Sequence, residues 1–319
     1  MSSQPKVVIF GGGTGLSVLL RGLKTKPVDI TAIVTVADDG GSSGRLRQDL
    51  NIPPPGDIRN VLAALSDVEP LVEDLFQHRF NKGNDLTGHS LGNLILAAMT
   101  NITGDFFHAV TEMSKVLNVR GKVLPAANSN VVLHAELESG KIVTGESKIP
   151  TYNEKIKRVF LSPETIKPLP ESIQVIREAD LIVIGPGSLY TSILPNLLVP
   201  QIGEEIIRSK AKKVYICNVM TQPGETLSYS ASDHVQALND HMDQPFIDTI
   251  FVNNEEIPDE IKTRYAEEKS QPVRFDTEAL KAMGLEVIRG EIITYDQNVI
   301  RHDTLKVASL LVDLLQKKK

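Results

Sequence analysis

The stretch KVVIFGGGTGL, residues 6–16, decides the fold. Its first five residues form the short, mainly apolar run of a buried strand, and the glycine loop of residues 11–15 follows at once. Residues 16–23 then have helical periodicity, and residues 29–36 are a second β-branched run. A strand, a glycine turn, a helix and a strand in this order predict a βαβ unit with parallel strands and a right-handed crossover.

The same alternation of strands and helices returns in the second half of the chain. The predicted strands there cover residues 180–184, 213–218, 249–253 and 285–289. We expect Asp303 or Thr304 to cap a last amphipathic helix over residues 305–315.

The region between these halves has a different pattern. Four segments have helical periodicity: residues 58–65, 70–79, 90–101 and 105–117. Asp57 is the expected N-cap of the first of them. Residues 119–162 contain the hairpin signal Glu138-Ser139-Gly140 between two strand-like runs. We therefore predict an α/β fold: a Rossmann-like, doubly wound, mostly parallel sheet with helices on both faces and a small antiparallel β insert at about residues 119–162. We expect residues 1–319 to form a single domain of this kind.

Composition and net charge exclude several classes of protein. Of 319 residues, 41% are hydrophobic and 23% are charged, which excludes a disordered or fibrous chain. Cys217 is the only cysteine, which excludes an internal disulfide framework and a cysteine-built zinc site. The net charge of −6 argues against a nucleic-acid-binding surface. The sequence has neither an apolar run of ~18 residues nor a signal-peptide pattern, so we expect a cytoplasmic protein without a membrane span.

The first candidate site is the glycine loop after the first predicted strand. Backbone N–H groups at the start of a helix can hold a phosphate, so Gly12, Gly13, Thr14 and Gly15 are candidate ligand contacts. No Lys-Ser/Thr pair follows the loop, which excludes a Walker A motif, and the glycine spacing departs from G-x-G-x-x-G. A nucleotide or sugar-nucleotide phosphate therefore fits better than a standard NAD-binding mode. A tight turn with a positive φ is the structural alternative.

Asp38 and Asp39 follow the second predicted strand. One of them can hydrogen-bond a ribose, and together they can hold Mg²⁺ with substrate phosphates; an Asx turn is the structural alternative. Residues 40–44, GGSSG, match G-x-S-x-G, but the three prolines soon after do not allow the long helix of a nucleophile elbow. We therefore predict that Ser42 and Ser43 hydrogen-bond a phosphate or hydroxyl group and are not nucleophiles.

Other polar loops supply further candidates. Arg59, close in sequence to Asp57, is expected to clamp a phosphate near a helix N-terminus. The loops at residues 185–188 and 220–226 also follow predicted strands, and ligands of doubly wound sheets bind at that edge. His89 lies in a glycine-rich loop, where a structural role is the more common one, so no catalytic residue is assigned.

Six blocks of sequence, taken in order, resemble the CofD-like family and most closely its YvcK branch of gluconeogenesis factors. The blocks are residues 8–15, 37–47, 54–60, 88–97, 185–197 and 218–226. The resemblance covers nearly the whole chain and implies a Rossmann-like fold in a bacterial cytoplasmic protein. It further implies a regulatory protein that binds UDP-N-acetylglucosamine, in a branch without a proven enzyme activity, and that is required for growth on gluconeogenic carbon sources and for normal cell shape.

The resemblance also implies site residues. Tyr265 and Arg301 are expected ligand contacts and Thr304 an expected phosphorylation site, whereas the pattern alone predicts a packing Tyr265 and a helix N-cap at Thr304. No metal ligand is predicted, and the expected partners are the nucleotide sugar and an unidentified regulatory protein, with a homo-oligomer compatible with the sequence. The full predicted ligand-binding set is Gly12, Gly13, Thr14, Gly15, Asp38, Asp39, Ser42, Ser43, Asp57, Arg59, Asn93, Gly187, Ser188, Asn218, Thr221, Tyr265 and Arg301.

Two alternatives remain open. The sister branch is phospholactate transferase, in which Mg²⁺ would neutralise a diphosphate leaving group, and Asp38, Asp39 and Asp57 would then hold the metal or position the acceptor. The block of residues 54–60 favours the YvcK branch. An NAD(P)-binding protein is the other alternative, disfavoured by the incomplete fingerprint.

Overall fold

The computed structural model describes residues 4–296 and 299–316. The strands over these residues are β1 (Lys6–Gly11), β2 (Asp29–Val34), β3 (Lys122–Pro125), β4 (Val132–Leu137), β5 (Ile142–Thr144), β6 (Ile156–Ser162), β7 (Leu181–Ile184), β8 (Lys212–Ile216), β9 (Thr249–Asn253), β10 (Glu286–Gly290), β11 (Ile293–Asp296) and β12 (Val299–His302). The α-helices are α1 (Gly13–Leu23), α2 (Gly41–Leu50), α3 (Gly56–Leu65), α4 (Pro70–Gln77), α5 (Leu91–Thr103), α6 (Phe106–Val116), α7 (Pro170–Arg177), α8 (Leu194–Leu197), α9 (Ile202–Arg208), α10 (Ala231–His241), α11 (Asp259–Glu267), α12 (Thr277–Ala282) and α13 (Thr304–Gln316).

The main sheet of the described residues has the strand order β3-β2-β1-β7-β8-β9-β10. Every neighbouring pair in it is parallel. The β1–α1–β2 segment is the βαβ unit predicted from the glycine stretch, with Val8 opposite Thr31. The order of the strands reverses between β1 and β7. In doubly wound sheets, ligands bind outside the strand carboxyl ends at such a switch point.

Burial on both faces explains why the central strands are continuous apolar runs. Residues 7–10 of β1 and 181–184 of β7 are all buried. A strand that helices cover on both sides has no face left for polar residues. The inner face of α1 follows helical spacing, with buried Leu16, Leu19, Leu20 and Leu23. The predicted α/β class, with its parallel sheet and small antiparallel sheet, is confirmed.

The antiparallel sheet has the order β5-β4-β6. It lies within the predicted range of residues 119–162, but β3 in that range pairs with β2 and belongs to the main sheet. Antiparallel pairing therefore begins at β4. The inward residues Leu133 and Val143 join the same hydrophobic cluster as the main sheet. The packing thus joins the insert to the core of the α/β sheet.

A second antiparallel pair, the hairpin β11–β12, was not predicted. Its inner residues Ile293 and Ile300 pack with Ile257 in a small cluster separate from the main core. The strands are four residues each, and β11 has three exposed positions, so their alternation is too short to stand out in the sequence.

Several predicted element ends differ from the structure. Asp57 does not cap α3, which begins at Gly56 after Pro55 and has no side-chain cap, because Asp57 already lies in the first turn. Asp303 caps α13: its carboxylate accepts the N–H groups of Leu305 and Lys306, each at 3.1 Å. Thr304, the other predicted cap, is the first helical residue. Among the described residues, no helix is both long and apolar enough to cross a membrane.

Gly22 lets α1 approach the start of α13. An ideal β-carbon at Gly22 would lie 2.5 Å from the carbonyl oxygen of Thr304. We expect Gly22→Ala to lower the free energy of unfolding by about 1–3 kcal/mol, the usual cost of overpacking, although alanine is the better helix former. Urea unfolding followed by circular dichroism measures this change.

Arg21→Ala on the same helix is the matched control. It removes an exposed ion pair with Glu73 and should cost less than about 1 kcal/mol. A Gly22→Ala variant as stable as the unmodified protein would contradict the close approach of the two helices.

Candidate functional site

A cavity of about 410 Å³ lies at the carboxyl edge of the sheet, at the switch point between β1 and β7. Three groups of residues line it: the glycine loop, the loops after β7 and β8, and residues of α11 and β12. Predicted ligand contacts on its wall are Gly12, Gly13, Thr14, Gly15, Gly187, Ser188, Asn218, Thr221, Tyr265 and Arg301. Residues far apart in the sequence thus meet at one site.

The first wall is the N-terminus of α1. Gly12 has extended backbone angles and no side chain to cap the helix, and Gly13 adopts a positive φ of 63°. The N–H of Gly13 is hydrogen-bonded to the Asp57 carboxylate. The N–H groups that follow, at the start of an 11-residue helix, have no intrahelical acceptor. They and the helix dipole can hold an anion.

The second wall is a chain of amide and hydroxyl groups on the loops after β7 and β8. Gln222 donates through Nε2 to Ser188 Oγ at 2.7 Å and accepts through Oε1 from Asn218 Nδ2 at 3.3 Å. The buried Thr221 hydroxyl accepts the Gln271 N–H at 3.0 Å. These bonds fix the orientation of the Gln222 amide and leave the Asn218 oxygen available to a ligand hydroxyl.

The third wall combines an aromatic ring with a cation. The hydroxyl of Tyr265 on α11 accepts the N–H of Ile300 at 2.9 Å, which ties the ring to β12. Arg301, the next residue, is exposed on the cavity wall. His302 donates through Nε2 to the Cys217 carbonyl at 3.1 Å, and burial lowers its pKa to about 4. At pH 7 the positive charge on this wall therefore comes from Arg301 and not from His302.

Three predicted carboxylates lie behind the glycine loop and do not line the cavity. Asp38 accepts the N–H of Gly40 at 2.8 Å. This bond forms an Asx turn, the structural alternative to ligand binding named in the sequence analysis. Asp39 accepts the N–H of Ser147 at 2.9 Å and so holds the insert. The third, Asp57, lies against Gly12 and Gly13. Within residues 4–296 and 299–316, no group of three or more His, Cys, Asp or Glu is arranged to hold a metal ion.

Burial and neighbouring negative charge raise the pKa of two carboxyl groups here, Asp57 and Glu146. Burial, and then repulsion from Asp38, raise the pKa of Asp57 to about 7. The same two causes, with further carboxylates, raise the pKa of Glu146 on the insert to about 8. Both groups therefore carry a proton for part of the time near pH 7.

The remaining predicted residues form a buried polar network on another side of the loop. Ser42 Oγ lies 2.9 Å from His89 Nδ1 and accepts Asn93 Nδ2 at 3.1 Å. Arg59 donates to Asn93 Oδ1 at 2.9 Å and to Gln77 Oε1. Arg59 is therefore directed away from the cavity wall, where the sequence prediction had placed a phosphate clamp. Ser43 is buried at the start of α2 and does not line the cavity either.

Comparison with known proteins identifies the family. Residues 7–293 match the family described as 2-phospho-L-lactate transferase CofD. The chain belongs to the CofD family. It is 81% identical over 316 residues to the Gluconeogenesis factor of Bacillus subtilis (strain 168), covering 99% of this chain and 100% of that protein. The Gluconeogenesis factor of Halalkalibacterium halodurans is 64% identical over 310 residues, 97% of this chain and 96% of the relative.

A solved structure agrees with this assignment. The crystal structure of a Bacillus halodurans protein matches this CofD-family chain with a TM-score of 0.96 at 63% identity. The match covers 97% of this chain and 99% of the other. The fold of the CofD-family chain is therefore shared over almost its whole length.

Several residues of the site were missed from the sequence. Gln222 and Glu225 lie in a block that the sequence analysis singled out, and their side chains could have been added from that position. His302 follows Arg301 directly and had no signal of its own. Glu146 belongs to the insert, and only the folded chain brings it to the carboxylates behind the glycine loop.

The buried Glu225 carboxyl predicts a pH dependence of stability. It accepts hydrogen bonds from Thr191 Oγ1 at 2.9 Å and from the Tyr190 N–H at 3.1 Å, yet burial raises its pKa from 4.5 to about 7. The folded chain retains this proton where the unfolded chain has released it. The resulting stabilisation is fully present below about pH 4.5 and is lost as the pH rises to about 7.

We expect Glu225→Gln to gain stability over the unmodified protein as the pH rises from 5 to 8, since the amide cannot ionise. Urea unfolding at both pH values measures the difference. Glu171→Gln, at an exposed position of α7, is the control and should follow the unmodified protein. Parallel pH profiles for Glu225→Gln and the unmodified protein would contradict the assignment.

Proposed function

We propose that this chain is a cytoplasmic regulatory protein that binds UDP-N-acetylglucosamine and is needed for gluconeogenic growth and for cell shape. The name of its relatives, Gluconeogenesis factor, supports the metabolic part of this proposal. The observation that carries the ligand is the cavity at the switch point, where a helix N-terminus, an arginine and a tyrosine face one space. Its volume of about 410 Å³ lies within the range of small-molecule sites.

Each part of a nucleotide sugar has a matching group on the wall. The diphosphate would accept the free N–H groups at the start of α1 and pair with the Arg301 guanidinium. Sugar hydroxyls would bond to Ser188 and Asn218, whose neighbour Gln222 is held by both. The Tyr265 ring, which β12 holds in place, would stack on the uracil.

Helix α13 would connect the ligand site to a protein partner. Thr304 begins α13 two residues after the cavity residue His302, and its backbone packs on Gly22 of α1. A phosphate on Thr304 would compete with Asp303 for the first N–H groups of α13. Phosphorylation there would thus act on both α1 and α13.

A transferase is the second candidate, because the family to which the chain belongs is described as 2-phospho-L-lactate transferase. Its support in the structure is the position of Asp57, whose carboxylate contacts the first turn of the phosphate-binding helix. In this function, Mg²⁺ would neutralise the diphosphate. Asp38, Asp39 and Asp57 would hold it only after rearrangement, since no three such groups of the described residues are arranged as a metal site.

Titration calorimetry distinguishes the two candidates. The ligands are UDP-N-acetylglucosamine, UDP-glucose, GDP and NADP, each with and without Mg²⁺, and each nucleotide is recovered afterwards and checked for cleavage. We expect UDP-N-acetylglucosamine to bind without Mg²⁺ and to be recovered intact. Arg301→Ala should weaken binding at least about tenfold, since a charged hydrogen bond to phosphate is lost.

Arg208→Ala is the control, because Arg208 pairs with Glu204 and Glu205 outside the cavity and should leave the affinity unchanged. Cleavage of the nucleotide sugar, or binding of GDP that requires Mg²⁺, would overturn the regulatory proposal and favour the transferase.

A further inference from the structure

A second group of donors converges outside the cavity, around His89. The segment of residues 78–90 connects α4 to α5, and its longest exposed stretch is residues 81–87. Arg45 on α2 donates to the Thr87 carbonyl at 2.6 Å, and Arg79 donates to the Gly88 carbonyl at 2.5 Å. Two guanidinium groups thus lie at consecutive carbonyls directly before His89.

The charges of these arginines are not neutralised by ion pairs. In the part of the chain that the structure describes, neither Arg45 nor Arg79 forms an ion pair with a carboxylate. Each uses one donor for a backbone carbonyl, while a guanidinium carries five. Asp49 is the acidic group whose charge reaches His89. Two positive charges that both act on His89 and have no paired carboxylate favour an anion beside that ring.

The buried network fixes the direction in which His89 donates. Arg59 is a donor only, so the Asn93 atom that faces it is the amide oxygen, and the Asn93 nitrogen faces Ser42. Ser42 Oγ accepts that N–H, and its own proton has the His89 Nδ1 as its acceptor. When Ser42 donates its proton to His89, Nδ1 is the acceptor and Nε2 carries the ring proton.

The Nε2–H of His89 has no hydrogen-bond partner among the described residues, although only 7% of the residue is exposed. Burial and the nearby charges of Arg45 and Arg79 lower its pKa, so the ring is neutral at pH 7 and donates through Nε2 alone. The N-terminus of the 13-residue helix α5 begins two residues later and adds positive potential.

We infer that His89, Arg45 and Arg79 form a binding site for a phosphate dianion, either free or as the monoester of a small metabolite. The site is separate from the cavity at the switch point, since none of the three residues lines that cavity. Two guanidinium groups balance the two charges of the dianion and can each present paired donors. The neutral imidazole adds one fixed donor, oriented by the chain Arg59–Asn93–Ser42.

The experiment titrates the full-length chain with inorganic phosphate and, separately, with glycerol phosphate, at constant ionic strength set by chloride. The readout is the ring ¹⁵N resonances of the histidines, with those of His89 assigned by their loss in His89→Gln. We expect the His89 Nε2 resonance to shift and saturate. Stronger binding of one probe identifies the source of the phosphate group.

Variants test each part of the site. Arg45→Gln and Arg79→Gln should each weaken binding at least about fivefold, since each removes a charged donor. Ser42→Ala should change the tautomer of His89, visible in the ring ¹⁵N shifts, and should weaken binding without removing any charge. Arg120→Gln, an exposed arginine paired with Asp67, is the matched control and should bind like the unmodified protein.

Circular dichroism checks that each variant is folded. Where a glutamine variant loses the fold, Arg45→Lys keeps the charge but not the paired donors, and should bind with intermediate affinity. The inference is overturned if neither probe moves the His89 resonances. It is equally overturned if the phosphate affinity falls in Arg301→Ala but not in Arg45→Gln, because the anion then binds in the cavity.

Discussion

An ideal β-carbon at Gly12 would lie 2.6 Å from a carboxylate oxygen of Asp57 and 2.6 Å from the Thr35 methyl carbon. The end of β1, the start of α1 and the first turn of α3 can therefore meet because residue 12 has no side chain. The Gly13 N–H bonds to Asp57 at this contact, and the next two residues of α1, Thr14 and Gly15, line the cavity. The direction of α1 depends on this arrangement, and the loops after β7 and β8 close the space at its N-terminus.

The contact of Gly12 and Gly13 with Asp57 also determines the electrostatics at the carboxyl edge of the main sheet. A helix N-terminus attracts negative charge, and the chain places the Asp57 carboxylate there, near Asp38 and Glu146. Burial first, and then repulsion from the neighbouring carboxylates, raise the pKa of Asp57 to about 7 and that of Glu146 to about 8. Under the proposed function, a diphosphate that binds at α1 adds to this repulsion, and protonation of Asp57 relieves it.

The sequence alone was sufficient to predict the βαβ unit and the carboxyl edge of the sheet at which the polar loops meet. The strand before Gly11 and the glycines after it predicted the βαβ unit, because their period and composition are local properties. The carboxyl ends of parallel strands meet at one edge, so the loops with Gly187 and Asn218 could be placed beside Gly12 without a structure. Ligand binding by these residues stays a prediction.

The remaining features depend on packing between distant segments. Arg59 was expected at a phosphate, but its direction is set by Asn93 and Gln77, which no local pattern connects to it. The hairpin β11–β12 is too short to show its period, so Arg301 entered through family resemblance alone, as did Tyr265 on α11. Asp57 was expected to cap its own helix, and it bonds instead to the first turn of a different one.

The most direct test of this account is a crystal structure of the full chain grown with UDP-N-acetylglucosamine. We expect the diphosphate within hydrogen-bonding distance of the backbone N–H groups of Thr14 and Gly15 and of the Arg301 guanidinium, with the uracil against Tyr265. A diphosphate bound elsewhere on the chain, or one that contacts none of these N–H groups, would contradict the claim that the N-terminus of α1 is the anion-binding centre.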